Sequence, residues 1–205
     1  MSGHPQYDNS HTATKAIAIV GLNLALSYEN AAIDRLEKRL SESIVPEVKQ
    51  KIKGHLEETK QQQERLRERI KALGGGVGME PISEKVQLPI PQPPQKLKIM
   101  IESSSSDKER EVWESLNDLI IERAESIMYK GGIQALELLK ADKKTIKVLE
   151  KNLKEEEAFG DWLEKNNPKI AKRLMAKQIQ ERRQGKKKTM REEKEVEAVS
   201  ATTAA

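Results

Sequence analysis

Two acidic residues occupy positions where helical periodicity normally places apolar side chains. On a helical wheel turned by 100° per residue, Leu22 and Leu36 fall within about 40° of Glu29, so Glu29 lies at the centre of an apolar stripe. Glu156 repeats the pattern, with Leu163 on the same face. A buried charge is costly unless it is paired with an opposite charge or coordinates a metal ion. The two positions are therefore candidates for chemistry.

A histidine and a third glutamate add to this pattern on a second helix. His55 lies about 40–50° from the centre of that helix's apolar stripe, and Glu58 follows three residues later, which places both on one face. The apolar stripe of a third helix includes Leu116 and Ile127. Glu122 and Glu125 lie at the edge of this stripe. Inward carboxylates from separate helices, with a Glu/His pair at i,i+3, build di-iron sites in helical bundles. Iron and manganese suit such oxygen and imidazole ligands.

The same residues allow a second interpretation without a metal. Arg35, Arg39 and Arg123 are available to pair with the buried glutamates. His55, taken alone, also fits a hydrogen-bonded core histidine. The spacing of the residues leaves both interpretations open.

Four helices are needed to bring these residues together, and the sequence predicts their bounds. Pro46 separates the first two helices, Gly74–Gly76 ends the second, and Ser106 with Glu109 forms a capping box that starts the third. Asn166-Asn167-Pro168 is expected to end the fourth, before a short basic helix and disorder after Gln184. The predicted helices cover residues 12–44, 46–73, 106–129 and 142–165.

A long segment without helical periodicity separates the two helix pairs. It is rich in Pro, Gly and Ser and covers residues 74–106. A crossover of this kind between helices two and three is typical of a ferritin-like bundle. The predicted fold is an all-α, ferritin-like four-helix bundle with a basic C-terminal helix and tail. The predicted division is a flexible arm (1–11), the bundle (12–165, crossover 74–106) and the basic helix with a disordered tail (166–205).

Composition excludes several other classes of protein. Charged residues make up 34% of the 205 residues and aromatic residues 3%, which argues against a β-sandwich or an aromatic nucleic-acid platform. The absence of cysteine excludes disulfides, thiolate nucleophiles and cysteine-built metal sites. The longest apolar stretch, residues 16–26, is about half the ~20 residues of a membrane span. We therefore expect a cytoplasmic protein without membrane contact.

Positive charge is concentrated near the C-terminus. Residues 168–191 carry ten basic side chains and one acidic side chain. Lys186, Lys187 and Lys188 are candidates for weak contact with nucleic-acid phosphates. Because no aromatic residue is interleaved there to stack on bases, a solvated tail is the alternative.

Several motifs resemble the YciE/YciF-type ferritin-like family. Tyr28-Glu29-Asn30 and His55-Leu-Glu-Glu58-Thr59 are similar to the first two helices of that family. Glu122-Arg-Ala-Glu125, followed by Tyr129, and Leu153-Lys-Glu155-Glu156 resemble its third and fourth helices. The resemblance covers roughly residues 15–165, and the His-x-x-Glu-Thr stretch is its most specific part.

The resemblance implies a homodimeric, stress-associated bundle that binds two iron or manganese ions and has ferroxidase- or peroxidase-type activity. Two departures favour the alternative, a non-catalytic structural or stress-response bundle without a complete metal site. This alternative includes association with nucleic acid through the basic tail. Arg123 stands where the family tends to have His, and Phe159 stands three residues after Glu156, where a Glu-x-x-His motif would end. The implied metal ligands are Glu29, His55, Glu58, Glu122, Glu125 and Glu156.

Overall fold

Four helices form the described part of the chain. The computed structural model describes residues 9–77 and 106–203, together with Lys96 and Ile99. No strand occurs within these ranges, which confirms the prediction of an all-α four-helix bundle. Most of the predicted crossover and residues 1–8 of the predicted arm lie outside the described residues. The helices are α1 (Asn9–Glu42), α2 (Pro46–Ala72), α3 (Asp107–Leu138) and α4 (Lys143–Thr203).

The predicted start and stop signals set both ends of α2 and the start of α3. Pro46 occupies the first turn of α2, where its missing N–H is not needed. Gly74, at φ +71°, adopts the left-handed conformation just after α2. At the start of α3, the Ser106 side chain accepts a hydrogen bond from the Glu109 N–H, and the Ser106 N–H donates to Glu109 Oε2 at 2.8 Å. The predicted capping box is therefore confirmed.

Two apolar clusters hold the bundle together at separate levels along its axis. α1 packs on α2 and α3 packs on α4, each pair joined by a short loop. One cluster contains Leu22 and Leu66, and the other contains Leu36 and Phe159. Between them lies a layer of buried polar residues from all four helices. The layer comprises Glu29, His55, Thr59, Gln62, Gln63, Glu122, Glu125, Asn152 and Glu156.

α3 turns a largely polar face inward, which differs from the predicted apolar stripe. Leu116 and Ile127, both expected on that stripe, are 42% and 69% exposed. The buried positions include Glu111 and Asp118 instead. Arg39 of α1 explains the difference, because its guanidinium donates to Asp118 Oδ2 at 2.8 Å and to Glu111 Oε1 at 3.1 Å. Charge pairing with α1 thus orients α3 more strongly than its apolar pattern does.

α4 continues through Pro168, so the predicted end of this helix at residue 165 is wrong. Pro168 removes one backbone donor, but the turns beyond it bury Ile170 and Leu174 in the second apolar cluster. Asn167 also donates a side-chain hydrogen bond to the Ser115 carbonyl of α3 at 2.7 Å. The helix then extends to Thr203, where the sequence predicts disorder. Packing beyond the proline stabilises one continuous helix.

Among the described helices, one has the length and apolar composition of a membrane span. This stretch is Thr12–Glu42 of α1. A single such helix is a weak indication, because core helices of soluble proteins and signal sequences have the same properties. α1 also contributes Glu29, Arg35 and Arg39 to polar contacts inside the bundle. In this structure α1 therefore packs as a bundle helix.

Pro168→Ala is expected to stabilise the protein. The substitution restores a backbone N–H donor in the middle of α4 and removes a steric conflict, a difference of up to about 3 kcal/mol in a helix interior. We expect the free energy of unfolding to rise by roughly 1–3 kcal/mol in urea denaturation. The neighbouring control Lys169→Ala should change it by less than about 0.5 kcal/mol. Unchanged or lower stability of Pro168→Ala would show that the proline is required for the helix path.

Candidate metal centre

Five of the six predicted site residues meet in the polar layer between the two apolar clusters. Glu29 comes from α1, His55 from α2, Glu122 and Glu125 from α3, and Glu156 from α4. None of the five is more than 7% exposed. The helical spacing recognised in the sequence therefore points these side chains into the bundle.

His55, Glu122 and Glu156 form the tightest group in this layer. His55 Nε2 lies 3.1 Å from Glu122 Oε2 and 3.4 Å from Glu156 Oε2. One ligand atom from each residue lies within 4.8 Å of the others, close enough for a single metal ion to bind all three. α2, α3 and α4 each contribute one of these residues, so the group depends on how these three helices pack.

Carboxylate oxygens in this group lack hydrogen-bond partners. Glu122 Oε2 and both oxygens of Glu156 are buried without one, although His55 Nε2 is close to them. Buried polar atoms are nearly always hydrogen-bonded, and burial of an unpartnered carboxylate is costly. Coordination of a metal ion would satisfy these oxygens. The donors present, one imidazole and two carboxylates, therefore fit a metal such as iron or manganese.

Glu58 lies on the other side of the His55 ring, outside this group. His55 Nδ1 is 3.2 Å from Glu58 Oε2, and the Glu58 side chain is 41% exposed. The hydrogen bond from His55 lowers the pKa of Glu58, so this carboxylate is ionised and can only accept. Nδ1 must therefore carry the proton, which directs Nε2 towards Glu122 and Glu156. The Phe159 ring, with its centroid 4.2 Å from that of the imidazole, also restricts the imidazole.

Glu29 is held by a hydrogen-bonded chain that sequence spacing did not reveal. The Tyr129 hydroxyl donates to Glu29 Oε1, and Asn152 Nδ2 donates to the Tyr129 oxygen at 3.0 Å. All three residues are buried. Asn152 lies one helical turn before Glu156 on α4, and this shared face was the only sequence signal for its role. These hydrogen bonds position Glu29 in the same layer as His55, Glu122 and Glu156.

Glu125 faces an arginine. Arg35 Nη2 lies 3.8 Å from Glu125 Oε2 and donates to Glu122 Oε1 at 2.9 Å. Arg35 Nη1 donates to Asp118 Oδ1 at 3.3 Å. The sequence predicts Arg35 as a candidate partner for the buried glutamates, but its spacing does not distinguish Arg35 from Arg39 or Arg123. Asp118 had no sequence signal that predicted its burial.

Arg123, the third arginine that the sequence offers as a partner for the buried glutamates, points out of the bundle. Arg123 Nη2 donates to Asp161 Oδ1 at 2.7 Å and also contacts Glu164. Its side chain is 35% exposed. Arg123 therefore takes no part in the polar layer, although it follows Glu122 directly in sequence.

Burial makes several of the acids hard to ionise. Burial and the negative charge of Glu122 raise the pKa of Glu156 to about 7. Burial also raises the pKa of Glu29 and of Glu125 well above the ordinary value. Glu122 differs, because His55 and Arg35 outweigh the effect of burial and lower its pKa to about 2. Without a metal, the centre therefore retains protons at several carboxyl groups.

His55 is held as a cation by the same charges. Burial alone would lower the pKa of His55, but Glu122, Glu156 and Glu58 outweigh burial and raise it well above the ordinary value. A metal ion at Nε2 requires the neutral imidazole, so binding of the ion must displace this proton. Metal affinity is thus expected to increase with pH.

A cavity of about 340 Å³ between α1 and α3 reaches this layer. Its walls are mainly apolar and include Ile17, Leu24 and Leu136, and its lining also includes Glu29 and Glu125. Small molecules therefore have a route to the carboxylates along this side of the bundle.

The basic residues proposed for nucleic-acid contact lie far along α4. Lys186 and Lys187 are exposed, whereas the side chain of Lys188 lies outside the described residues. The structure shows that the two exposed lysines are accessible, and contact with nucleic acid stays a prediction.

The metal-free protein is expected to lose stability as pH rises from about 5 to 8. The folded-state pKa of Glu156 is about 7 against an ordinary value of 4.5, so this group favours folding below about pH 4.5 and loses that contribution through pH 7. His55, whose folded-state pKa is also raised, acts in the same direction. Chelator-treated protein should melt several degrees lower at pH 8 than at pH 5, a change measurable by circular dichroism. Glu156→Gln should reduce this difference, and a melting temperature that rises over the range would contradict the assignment.

Comparison with known proteins supports the architecture. Residues 19–86 match the family model described as "Domain of unknown function (DUF892)". No curated protein matches the chain at a significant level. A crystal structure of a protein from Xanthomonas campestris pv. campestris is 18% identical, with a TM-score of 0.62 over 81% of this chain and 99% of that chain. YcfI from Rhodopseudomonas palustris is 22% identical, with a TM-score of 0.58 over 77% of this chain and 97% of that chain. At these identities the two structures show a shared fold.

Proposed function

We propose that this bundle binds divalent iron or manganese at its centre and belongs, by its motifs, with YciE/YciF-type ferritin-like proteins. His55, Glu122 and Glu156 are the proposed ligands, and Glu29 is the adjacent carboxylate. The observation that carries the proposal is the set of buried carboxylate oxygens without hydrogen-bond partners, on Glu122 and Glu156 beside His55 Nε2. In a folded protein such oxygens need a cation or a retained proton, and a metal ion beside His55 Nε2 would satisfy them together.

The ligand types favour iron or manganese among biological metals. One imidazole with carboxylates suits these ions, whereas Ca²⁺ and Mg²⁺ prefer all-oxygen sites. Glu58 and Phe159 hold the imidazole so that Nε2 faces the carboxylates. The orienting carboxylate on Nδ1 is a common feature of metal-binding histidines.

Iron oxidation is the activity that we propose for this centre. Bound iron supplies one-electron chemistry towards O₂ or peroxide. With Fe²⁺ as substrate, two Fe²⁺ ions that are oxidised in turn each give one electron to one hydrogen peroxide, which takes up two protons and leaves as two waters. The cavity between α1 and α3 provides access for peroxide, and the apolar clusters on both sides exclude bulk water. Removal of free Fe²⁺ and peroxide would be protective under oxidative stress.

A non-catalytic bundle without bound metal is the alternative, and one observation favours it. Arg35 and Arg39 already neutralise part of the buried negative charge, through Glu122, Asp118 and Glu111. In that case the protons retained by Glu29, Glu125 and Glu156 would neutralise the rest of the buried negative charge.

Metal content and thermal stability distinguish the two functions. The full chain is stripped with chelator, incubated anaerobically with Mn²⁺ or Fe²⁺, desalted and measured by elemental mass spectrometry. We expect bound metal in the wild type and a loss of at least tenfold in affinity for Glu156→Gln, because the amide cannot replace a carboxylate ligand. Metal at 100 times the Kd should stabilise the wild type by about 2.7 kcal/mol.

Glu157→Gln is the matched control, since it makes the same chemical change one residue later on a half-buried side chain that pairs with Lys130. It should retain metal and oxidise Fe²⁺ with peroxide at the wild-type rate. Absence of metal from the wild type, or equal loss in both variants, would support the non-catalytic alternative.

A further inference from the structure

We infer that the guanidinium of Arg35 occupies the place of a second metal ion, so that the centre takes one metal ion per chain. This inference rests on the proposed metal-binding function and defines its stoichiometry. It differs from the two-ion site that the motif resemblance implies.

The two carboxylate oxygens of Glu122 differ in their hydrogen bonding. Oε2 lies 3.1 Å from His55 Nε2 and has no hydrogen-bond partner. Oε1 accepts a hydrogen bond from Arg35 Nη2 at 2.9 Å. A carboxylate that bridges two metal ions gives one oxygen to each ion. Here the second oxygen is already bound to a fixed cation of the protein.

Arg35 also lies among the other carboxylates that a second ion would use. Its Nη2 is 3.8 Å from Glu125 Oε2, and its Nη1 donates to Asp118 Oδ1 at 3.3 Å. The positive charge of Arg35 therefore faces three buried acids at once. In the described chain, the buried carboxylate oxygens without a hydrogen-bond partner all belong to Glu122 and Glu156.

The second half of a di-iron ligand set is also incomplete. Such sites take a Glu-x-x-His pair from each of two helices. On α4 the residue three after Glu156 is Phe159, which packs against the His55 ring and supplies no ligand. His55 is thus the single imidazole that the described side chains bring to the layer.

Arg35 is held firmly in this position. Asp118 is fixed in turn by Arg39 Nε at 2.8 Å, so the acceptor of Arg35 Nη1 cannot easily move away. Withdrawal of Arg35 would leave Glu122, Glu125 and Asp118 without a shared counter-charge in a buried layer. Loss of one partner from a buried ion pair is strongly unfavourable. A free metal ion therefore competes poorly with Arg35 for these oxygens.

Stoichiometry tests this inference. Metal-free full-length protein is titrated anaerobically with Mn²⁺, and the bound metal is counted by elemental mass spectrometry and examined by electron paramagnetic resonance. We expect one Mn²⁺ per wild-type chain with the spectrum of an isolated ion. Arg35→Gln should bind two, with the spectrum of a coupled pair, because Glu122 Oε1 and Glu125 become available. The control Arg123→Gln removes an arginine that points outward and should stay at one.

Glu125→Gln provides a second test if Arg35→Gln folds poorly. This carboxylate faces Arg35, so its replacement in the wild type should leave one Mn²⁺ bound with affinity changed less than about threefold. In the Arg35→Gln background it should return the count from two to one.

The results that would overturn the role of Arg35 differ from those that would overturn metal binding. Two Mn²⁺ per wild-type chain, one per Arg35→Gln chain that is folded by circular dichroism, or loss of an ion in Glu125→Gln would overturn the role of Arg35 and leave the metal-binding function standing. No Mn²⁺ in the wild type would overturn the metal-binding function itself, and the inference with it.

Discussion

Burial of four carboxyl groups in one layer of a helical bundle is the constraint on which this structure depends. Glu29, Glu122, Glu125 and Glu156 together would place four negative charges in a region that excludes water. The protein compensates for them with the charges of Arg35 and His55, with the Tyr129 hydroxyl and with retained protons. The apolar clusters above and below the layer provide the favourable burial that keeps these acids together. The layer is stable only as part of the whole bundle.

The interface between α1 and α3 extends this charge compensation along the helices. Arg35 and Arg39 stand four residues apart on α1, and Asp118 and Glu122 stand four apart on α3, so the two pairs face each other one turn apart. Glu111 continues the series and accepts from the Ile44 backbone N–H at 2.7 Å. The arginines thus connect the end of α1 to the centre of the bundle. Any change in Arg35 therefore affects both the packing of α3 and the charge at Glu122.

The two sides of the centre are consequently unequal. On the His55 side, the imidazole is oriented by Glu58 and faces carboxylate oxygens that lack partners. On the Arg35 side, Glu122 Oε1 already accepts a hydrogen bond at 2.9 Å. This asymmetry distinguishes the layer from the pair of symmetric half-sites that di-iron bundles use. The same layer thus combines a His/Glu/Glu group that could hold a metal ion with a side whose charges are neutralised by the protein itself.

The sequence by itself determined the elements and the inward direction of three key residues. Proline, glycine and the capping box act locally, so the start of α2, its end and the start of α3 were predictable from a few neighbouring residues. The 3.6-residue period likewise placed Glu29, His55 and Glu156 on inner faces, because each interrupts an otherwise apolar stripe.

Tertiary structure decided which charges meet. α3 carries apolar residues on one side and acids on another, and only the arginines of α1 select the acidic side for burial. Arg35 rather than Arg123 enters the layer, since helix packing places Arg123 beside Asp161 and Glu164 at the surface. α4 likewise continues past Pro168 because Ile170 and Leu174 find apolar partners that no local rule can foresee. Periodicity is a property of one helix, whereas the partner of a buried charge depends on its neighbours.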